Sequence, residues 1–169
     1  MKRKIKNIVI HCTAGHKDAA AVQAYFLRSK KHGGRGWKKG GYHRIIEKSG
    51  KIVKVYDFDT ITNGVKGFNE NTIHISYVGG VDEDDVKKPK DTRTPAQKAA
   101  IETCIKEALE YCEGQEVGVV GHRDFSPDRN GSGIIESWER IKACPSFDAL
   151  EEYSEKYASP SRKGLLPYQ

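Results

Sequence analysis

The sequence lacks any apolar segment long enough to cross a lipid bilayer, which takes roughly 20 consecutive apolar residues. The chain of 169 residues opens with a basic stretch at 1–7, of the kind that begins a secretory signal peptide. Only three apolar residues, 8–10, follow before His11, which is too short for the apolar core of such a signal. We therefore expect a protein made in the cytoplasm without a signal peptide, and no membrane partner.

Cysteine is scarce, since four cysteines in a chain of this size do not amount to a disulfide framework. Cys104 and Cys112 stand on one predicted helix, roughly 12 Å apart along its axis, and cannot bond to each other without unfolding it. Both are interpreted as small core residues. Cys12 directly follows His11 and would face the other side of a strand, so packing is favoured over metal binding there.

A basic stripe of the kind that binds nucleic acid is also missing. Apart from the first residues and lysine pairs such as those at 30–31 and 38–39, the lysines and arginines are spread along the chain. No helix-turn-helix, zinc-finger or RNA-recognition pattern is present, so nucleic acid is not an expected partner. The net charge of +6 and the isoelectric point near 9.1 still favour an anionic partner, and an acidic cell-wall polymer meets that condition. Charge alone does not choose among such partners.

The order of apolar segments predicts one α/β domain with a central mixed β-sheet flanked by helices. Strands are predicted at residues 7–13, 42–47, 52–56, 71–78 and 117–120, and helices at 18–31, 95–113 and 147–157. Thr94 and Gln97 carry a capping-box signature ahead of the long helix. A glycine-rich loop at 32–41 is placed at a substrate groove. We expect the domain to cover residues 1–158 and a flexible tail to follow at 159–169.

Two histidines end apolar strands at distant points of the chain, His11 after residues 8–10 and His122 after residues 117–121. Strand ends lie at the edge of a sheet, where sites are built, and Cys144 adds a thiolate further on. Two imidazoles and one thiolate, with a fourth position open, are a ligand set that suits catalytic zinc. A lone histidine at a strand end is more often a hydrogen-bonded structural residue, so the zinc hypothesis depends on all three together.

Four further side chains are candidates for chemistry or substrate binding around such a centre. The phenol of Tyr42 could donate a hydrogen bond to a developing oxyanion or shuttle a proton, the alternative being an ordinary strand tyrosine. Lys142, two residues before Cys144, would place an ammonium near the scissile carbonyl, the alternative being a surface lysine. Trp37 is either a staple for the glycine-rich loop or a platform for a sugar ring. His43 faces the opposite way from Tyr42 on a strand, and both His43 and Trp37 are taken as candidate substrate-binding residues.

These residues give the chain a resemblance to the N-acetylmuramoyl-L-alanine amidases of the type shared by phage T7 lysozyme and animal peptidoglycan recognition proteins. The matching segments, within about residues 5–150, are 8–14, 36–37, 41–43, 78–80, 121–122 and 142–148, the last reading Lys-Ala-Cys-Pro-Ser-Phe-Asp. Carried over position by position, the resemblance implies zinc ligands at His11, His122 and Cys144. It likewise implies catalytic roles for Tyr42 and Lys142, and hydrolysis of the amide between the lactyl group of N-acetylmuramic acid and L-alanine in peptidoglycan.

The main alternative is a binding module, a non-catalytic peptidoglycan receptor of the same fold. Such a receptor would be expected to lack the metal thiolate, whereas Cys144 is present together with Lys142 and Tyr42. A wall hydrolase made in the cytoplasm also needs a release route. A phage or prophage lysin freed by lysis meets that need, and so does an effector delivered by a non-classical export route. We expect a monomer.

An insertion at 123–141 separates the second histidine from the lysine, whereas short members of the family pass quickly from one to the other. Within it, residues 128–139 fit the twelve-residue EF-hand calcium loop. The candidate calcium ligands are Asp128, Asn130, Ser132, Ile134, Glu136 and Glu139. We hypothesise that this loop binds Ca²⁺ and thereby fixes the segment that carries Lys142 and Cys144. The alternative is a turn rich in Gly, Asn and Asp that caps a short helix without metal.

Overall fold

The computed structural model describes residues 2–165, which form a five-stranded mixed sheet with α-helices packed around it. The strands are β1 (Asn7–Cys12), β2 (Arg44–Ile46), β3 (Ile52–Lys54), β4 (Thr72–Tyr77) and β5 (Gly118–Gly121). The helices are α1 (Ala19–Leu27), α2 (Pro95–Tyr111) and α3 (Ala149–Tyr157), with 3₁₀ turns at Lys30–His32, Asn69–Asn71, His122–Phe125, Ser137–Glu139 and Pro160–Arg162. The predicted α/β class and the central mixed sheet are confirmed.

The strands lie in the order β3-β2-β4-β1-β5, so the first strand of the chain is interior to the sheet. β1 runs parallel to both of its neighbours, β4 and β5, and only the β2–β3 hairpin is antiparallel. Ile10 lies opposite Ile75 on one side and Gly121 on the other. Parallel strands in register end at the same edge of a sheet, so the residues that follow β1 and β5 meet there.

One face of the sheet carries the main apolar core beneath α2 and α3. Ile8 and Ile10 of β1 pack there with Ile75 of β4, and all three are fully buried. Side chains alternate along a strand, so the residues between these point to the other face. His11 and His74 therefore lie on the opposite face, on the side where α1 packs.

Helix α2 begins with the predicted capping box. The Gln97 N–H donates to Thr94 Oγ1 at 3.1 Å, and the Thr94 N–H donates to Gln97 Oε1 at 3.0 Å. Gln97 Nε2 also donates to the carbonyl of Val78 at 2.9 Å, so the cap ties the helix to the end of β4. Cys104 and Cys112 are buried free thiols, as predicted. Among residues 2–165, no helix combines the length and the apolar character that crossing a bilayer requires.

Helix α1 ends at Leu27, short of the predicted end near residue 31. The glycine-rich loop folds back on it and uses its last carbonyls as acceptors. The Arg35 N–H donates to the Tyr25 carbonyl and the Trp37 N–H to the Phe26 carbonyl, each at 2.9 Å. Those acceptors would otherwise continue the helix, so the loop replaces a further turn and is fixed against α1.

The first residues of the predicted tail contact the sheet. The Val117 N–H donates to Ser159 Oγ at 2.9 Å, and the Ser159 N–H donates to the Val117 carbonyl at 2.8 Å. Arg162 donates to Asn7 Oδ1 at 2.9 Å. The sheet contacts of the chain thus extend beyond the predicted boundary at 158, and residues 166–169 of the predicted tail lie outside the described residues.

Candidate active site

Three side chains from distant parts of the chain converge at the edge where β1 and β5 end. His11 is the fifth residue of β1, His122 follows β5 directly, and Cys144 lies in the loop before α3. One nitrogen of each histidine and the Cys144 sulfur all lie within 4.8 Å of one another. His11 is fully buried, and the other two are partly exposed, so the cluster is open on one side. The structure thus brings together the three residues for which zinc binding is predicted.

The loop that carries Cys144 is held by the residues around it. The Arg123 N–H donates to the Cys144 carbonyl at 2.8 Å, and the Arg123 guanidinium pairs with Asp148, which follows the loop, at 2.9 Å. Tyr77 Oη donates to the Pro145 carbonyl at 2.7 Å. The Cys12 N–H donates to the Cys144 sulfur at 3.2 Å, which fixes the thiol at the end of β1.

Burial sets the protonation of the cluster. It lowers the pKa of His11 well below its usual range, and it lowers the pKa of His122 to about 4, with the Lys142 charge adding to the effect. Both imidazoles are therefore neutral near pH 7, the form that binds a metal. Burial raises the pKa of the Cys144 thiol, and the Lys142 charge opposes that rise. A cation placed among these ligands would favour the thiolate in the same way.

The open side of the cluster faces a cleft of about 960 Å³. Its lining includes His122, Cys144 and Lys142 together with Tyr42 and Trp37. Further basic side chains reach the same cleft: Arg35, Lys38 and Lys66. A concave site of this size with a few convergent polar groups suits a substrate of several chemical units.

Tyr42 and Lys142 both lie beside the cluster. The ring of Tyr42 is 5.1 Å from the ring of His11, centre to centre, and its hydroxyl makes a long 3.5 Å hydrogen bond to the Cys12 carbonyl. Burial raises the pKa of the Tyr42 phenol, so the hydroxyl stays protonated and can donate a hydrogen bond. Lys142 is exposed on the wall of the cleft, and its charge reaches His122 and Cys144.

Trp37 combines features of both of its predicted roles. Its ring stacks on Phe26 of α1 with centres 5.1 Å apart and planes 9° apart, which staples the glycine-rich loop to the helix. The Arg35 guanidinium lies 4.9 Å from the centre of the same ring. Trp37 also lines the cleft, where its exposed part is available to a substrate.

His43 does not reach the cleft, so its predicted role in substrate binding is corrected. The side chain is fully buried. Its Nε2 donates to the Thr60 carbonyl at 2.9 Å, and its Nδ1 accepts the His74 N–H at 2.9 Å. Both ring nitrogens are used inside the protein, so no polar atom is left for a ligand. The opposite orientations of Tyr42 and His43 along the chain are the reason that only Tyr42 lines the site.

The segment 128–139 forms a closed turn whose carboxylates accept the backbone N–H groups of the turn itself. Asp128 accepts from Gly131, Ser132 and Gly133. Glu139 is almost fully buried and accepts from Arg129, Asn130 and Glu136. The remaining predicted ligands bond within the turn, Asn130 to Glu136 and Ser132 to the Ile134 carbonyl. In the described part of the chain, the potential ligands that gather around one point are His11, His122 and Cys144, and these carboxylates do not.

His74 is a residue of the site that the sequence analysis missed. Its Nδ1 lies 3.0 Å from His11 Nε2, on the side of the His11 ring away from Cys144. The sequence did contain one indication of this role, because His74 lies within a predicted buried strand. A buried polar ring needs hydrogen-bond partners.

The fold and the cluster define the class of single-domain α/β proteins that carry a candidate metal site at one edge of a mixed sheet. Within that class, the chain belongs to the N-acetylmuramoyl-L-alanine amidase family, whose family model matches residues 1–146. The matched range includes His11, His122 and Cys144. The protein is therefore a peptidoglycan hydrolase with N-acetylmuramoyl-L-alanine amidase activity.

Curated relatives agree with this assignment, and a solved structure agrees with the fold. The chain is 30% identical to the endolysin of Klebsiella phage KP32 over 155 residues, covering 92% of this chain and 89% of the relative. It is 32% identical to the endolysin of Escherichia phage T7 over 149 residues, covering 88% and 85%. The solved structure of Drosophila PGRP-LB superposes with a TM-score of 0.63 at 16% identity, covering 92% and 83%, which shows a common fold.

A methyl group at Gly121 is predicted to separate the ligands. A Cβ there would lie 2.7 Å from Pro145 Cδ, so the loop that carries Cys144 must move away from His122. We expect Gly121→Ala to weaken Zn²⁺ binding by about tenfold or more, measured by competition with a chromogenic chelator. Gly15→Ala is the matched control, because a Cβ there meets no heavy atom within 4 Å. Equal zinc affinity in Gly121→Ala and wild type would contradict the positioning of the two ligands described here.

Proposed function

We propose that the protein hydrolyses the amide between the lactyl group of N-acetylmuramic acid and L-alanine with one zinc ion held by His11, His122 and Cys144. The observation that supports this most strongly is the convergence of the three ligand atoms, within 4.8 Å of one another, at the wall of the cleft. His122 and Cys144 line the cleft, so a substrate carbonyl in the cleft has access to an ion held by these residues.

The residues fit zinc by the chemistry of their donor atoms. Two neutral imidazoles and one thiolate are a combination that proteins use for zinc, and three protein ligands leave one position for water or substrate. Hard cations such as Mg²⁺ and Ca²⁺ prefer oxygen ligands and are disfavoured by this set. Zinc, when bound, supplies a Lewis acid that polarises a carbonyl and lowers the pKa of water.

The chain supplies two further groups where charge develops in amide hydrolysis. Attack on an amide carbonyl builds negative charge on its oxygen, and donors already in place stabilise that charge without reorganising. The Lys142 ammonium projects into the cleft beside His122 and Cys144 and can stabilise this charge. Tyr42, with its proton retained, can donate a hydrogen bond from its position beside the His11 ring.

The cleft carries charge of the sign that peptidoglycan calls for. Arg35, Lys38, Lys66 and Lys142 all line it, and the whole chain has a net charge of +6. Stem peptides of peptidoglycan carry free carboxylates, so a basic cleft concentrates them. Trp37, held flat against Phe26, offers an apolar surface in the same cleft on which a sugar ring can lie.

The alternative, a receptor of the same fold without turnover, is less well supported. A receptor needs the groove and its basic and aromatic side chains, but it does not need a thiol, two imidazoles, a phenol and an ammonium gathered at one end of it. The presence of all five groups favours catalysis. The relatives named above are endolysins, and we propose that this protein likewise reaches the wall after cell lysis. Delivery by a non-classical export route is the other possibility.

Mass spectrometry of intact muropeptides tests the reaction directly. We expect the zinc-loaded protein to release peptides that begin with L-alanine, and we expect a chelator to abolish the release. Cys144→Ala should lose both the zinc and the turnover, because a ligand is removed. Cys112→Ala, which also removes a buried thiol but one that caps the end of α2 and is not among the three ligands, should keep both. Release of the same peptides by metal-free protein would exclude the zinc mechanism.

Lys142→Ala is expected to separate rate from metal binding. The ammonium is exposed and is not one of the three ligands, so zinc content should stay at one per chain. The loss of one oxyanion donor should lower kcat about 10²- to 10³-fold. Lys98→Ala, on the exposed side of α2, is the control for the loss of one positive charge. Full activity in Lys142→Ala would refute its assigned role.

The calcium hypothesis for residues 128–139 makes a separate prediction. If the loop binds Ca²⁺, millimolar Ca²⁺ should raise the Tm of the protein, Mg²⁺ should not, and calorimetry should detect one site. Asp128→Asn should lose that response. If the backbone N–H groups of the turn already satisfy its carboxylates, the Tm should be the same with and without Ca²⁺. That result would remove calcium from the account while leaving the zinc site unaffected.

A further inference from the structure

We propose that His74 is a positioning residue that fixes the tautomer and the orientation of His11, so that His11 Nδ1 is ready for zinc. The inference rests on the proposed zinc site. It adds a chain of hydrogen bonds behind the cluster that runs from His11 through His74 and Thr72 to the carbonyl of Phe68.

The direction of this chain follows from its last member. The Phe68 carbonyl can only accept, so the Thr72 hydroxyl donates to it at 2.9 Å. That hydroxyl has one proton, and its oxygen therefore accepts from His74 Nε2, which lies 2.9 Å away. Full burial disfavours the charged imidazolium, so His74 carries a single N–H and its Nδ1 presents a lone pair.

The lone pair of His74 determines the state of His11. His11 Nε2 lies 3.0 Å from His74 Nδ1, and only an N–H on His11 Nε2 satisfies both nitrogens. His11 Nδ1 is then unprotonated, and it is the nitrogen that lies 3.8 Å from the Cys144 sulfur. The opposite tautomer would direct an N–H toward the cluster, where it blocks metal binding.

His74 is itself held in place by its surroundings. Its backbone N–H donates to His43 Nδ1 at 2.9 Å, and the two rings stack with centres 5.8 Å apart. Gly64 lies against the His74 ring, and a Cβ at that position would come within 2.4 Å of it. The His74 ring therefore occupies a space that the loop leaves open only because residue 64 is glycine.

The alternative is a purely structural role, in which His74 only fills space beneath the cluster. That role would need volume but no particular hydrogen-bond direction, and an apolar side chain of similar size would serve it equally well. The two roles differ in their effect on the tautomer of His11. A change at Thr72, which alters neither histidine, should shift that tautomer only if His74 is a positioning residue.

Thr72→Val makes that change. Valine keeps the shape of threonine and suits a strand, but it removes the acceptor for His74 Nε2. Two-bond ¹⁵N–¹H NMR of the zinc-free protein reports the tautomer of each ring. We expect a single Nε2–H tautomer for His11 in wild type, a mixture in Thr72→Val, and zinc affinity 10- to 100-fold weaker in the variant. Thr103→Val, at a threonine of α2 whose hydroxyl also donates to a carbonyl but that contacts neither histidine, should leave both readouts unchanged.

Two substitutions at His74 test the same point by rescue. His74→Leu removes the acceptor and should weaken zinc binding 10- to 100-fold. His74→Asn places an amide oxygen near the position of Nδ1 and should recover most of the affinity. Wild-type zinc affinity in folded Thr72→Val and His74→Leu would overturn the inference. If wild type itself binds no zinc, the proposed function fails, whereas the NMR tautomers still decide whether His74 sets the state of His11.

Discussion

The parallel pairing of β1 with both β4 and β5 determines which residues meet at the candidate active site. This register places the end of β1 beside the end of β5, so that His11 and His122 meet although 110 residues separate them in the chain. The same pairing places His74 of β4 beside His11 on the face away from the main core. A shift of one residue in β1 would turn His11 into that core and bring Cys12 to the cluster instead.

The third member of the cluster depends on a loop rather than on the sheet, and it is fixed by several weak links instead of one strong one. Arg123 contacts Cys144 through its backbone and Asp148 through its guanidinium, and Tyr77 of β4 donates to the Pro145 carbonyl. Because Gly121 lies against Pro145, the loop can approach the strand closely. The register of the sheet therefore positions His11 and His122, and the contacts of the loop position Cys144.

Much of the site could be predicted from local sequence, because the local pattern states the chemistry. A histidine after a buried strand and a cysteine within Lys-Ala-Cys-Pro-Ser-Phe-Asp are visible without any tertiary information, and so is the Thr94–Gln97 capping box. The orientation of side chains and the position at which a helix ends were harder to predict. His43 was misjudged because its partners, Thr60 and the His74 backbone, come from other segments. The early end of α1 depends on a loop that returns to the helix, and no periodicity within the helix indicates that return.

In the proposed zinc centre, two nitrogens and one sulfur from His11, His122 and Cys144 bind a single ion. X-ray absorption at the zinc edge, on protein loaded with one equivalent, measures that ligand set directly. We expect one sulfur near 2.3 Å and two imidazole nitrogens at about 2.0–2.1 Å, with a light-atom ligand in the remaining position. A spectrum with no sulfur shell, or with fewer than two imidazoles, would contradict it.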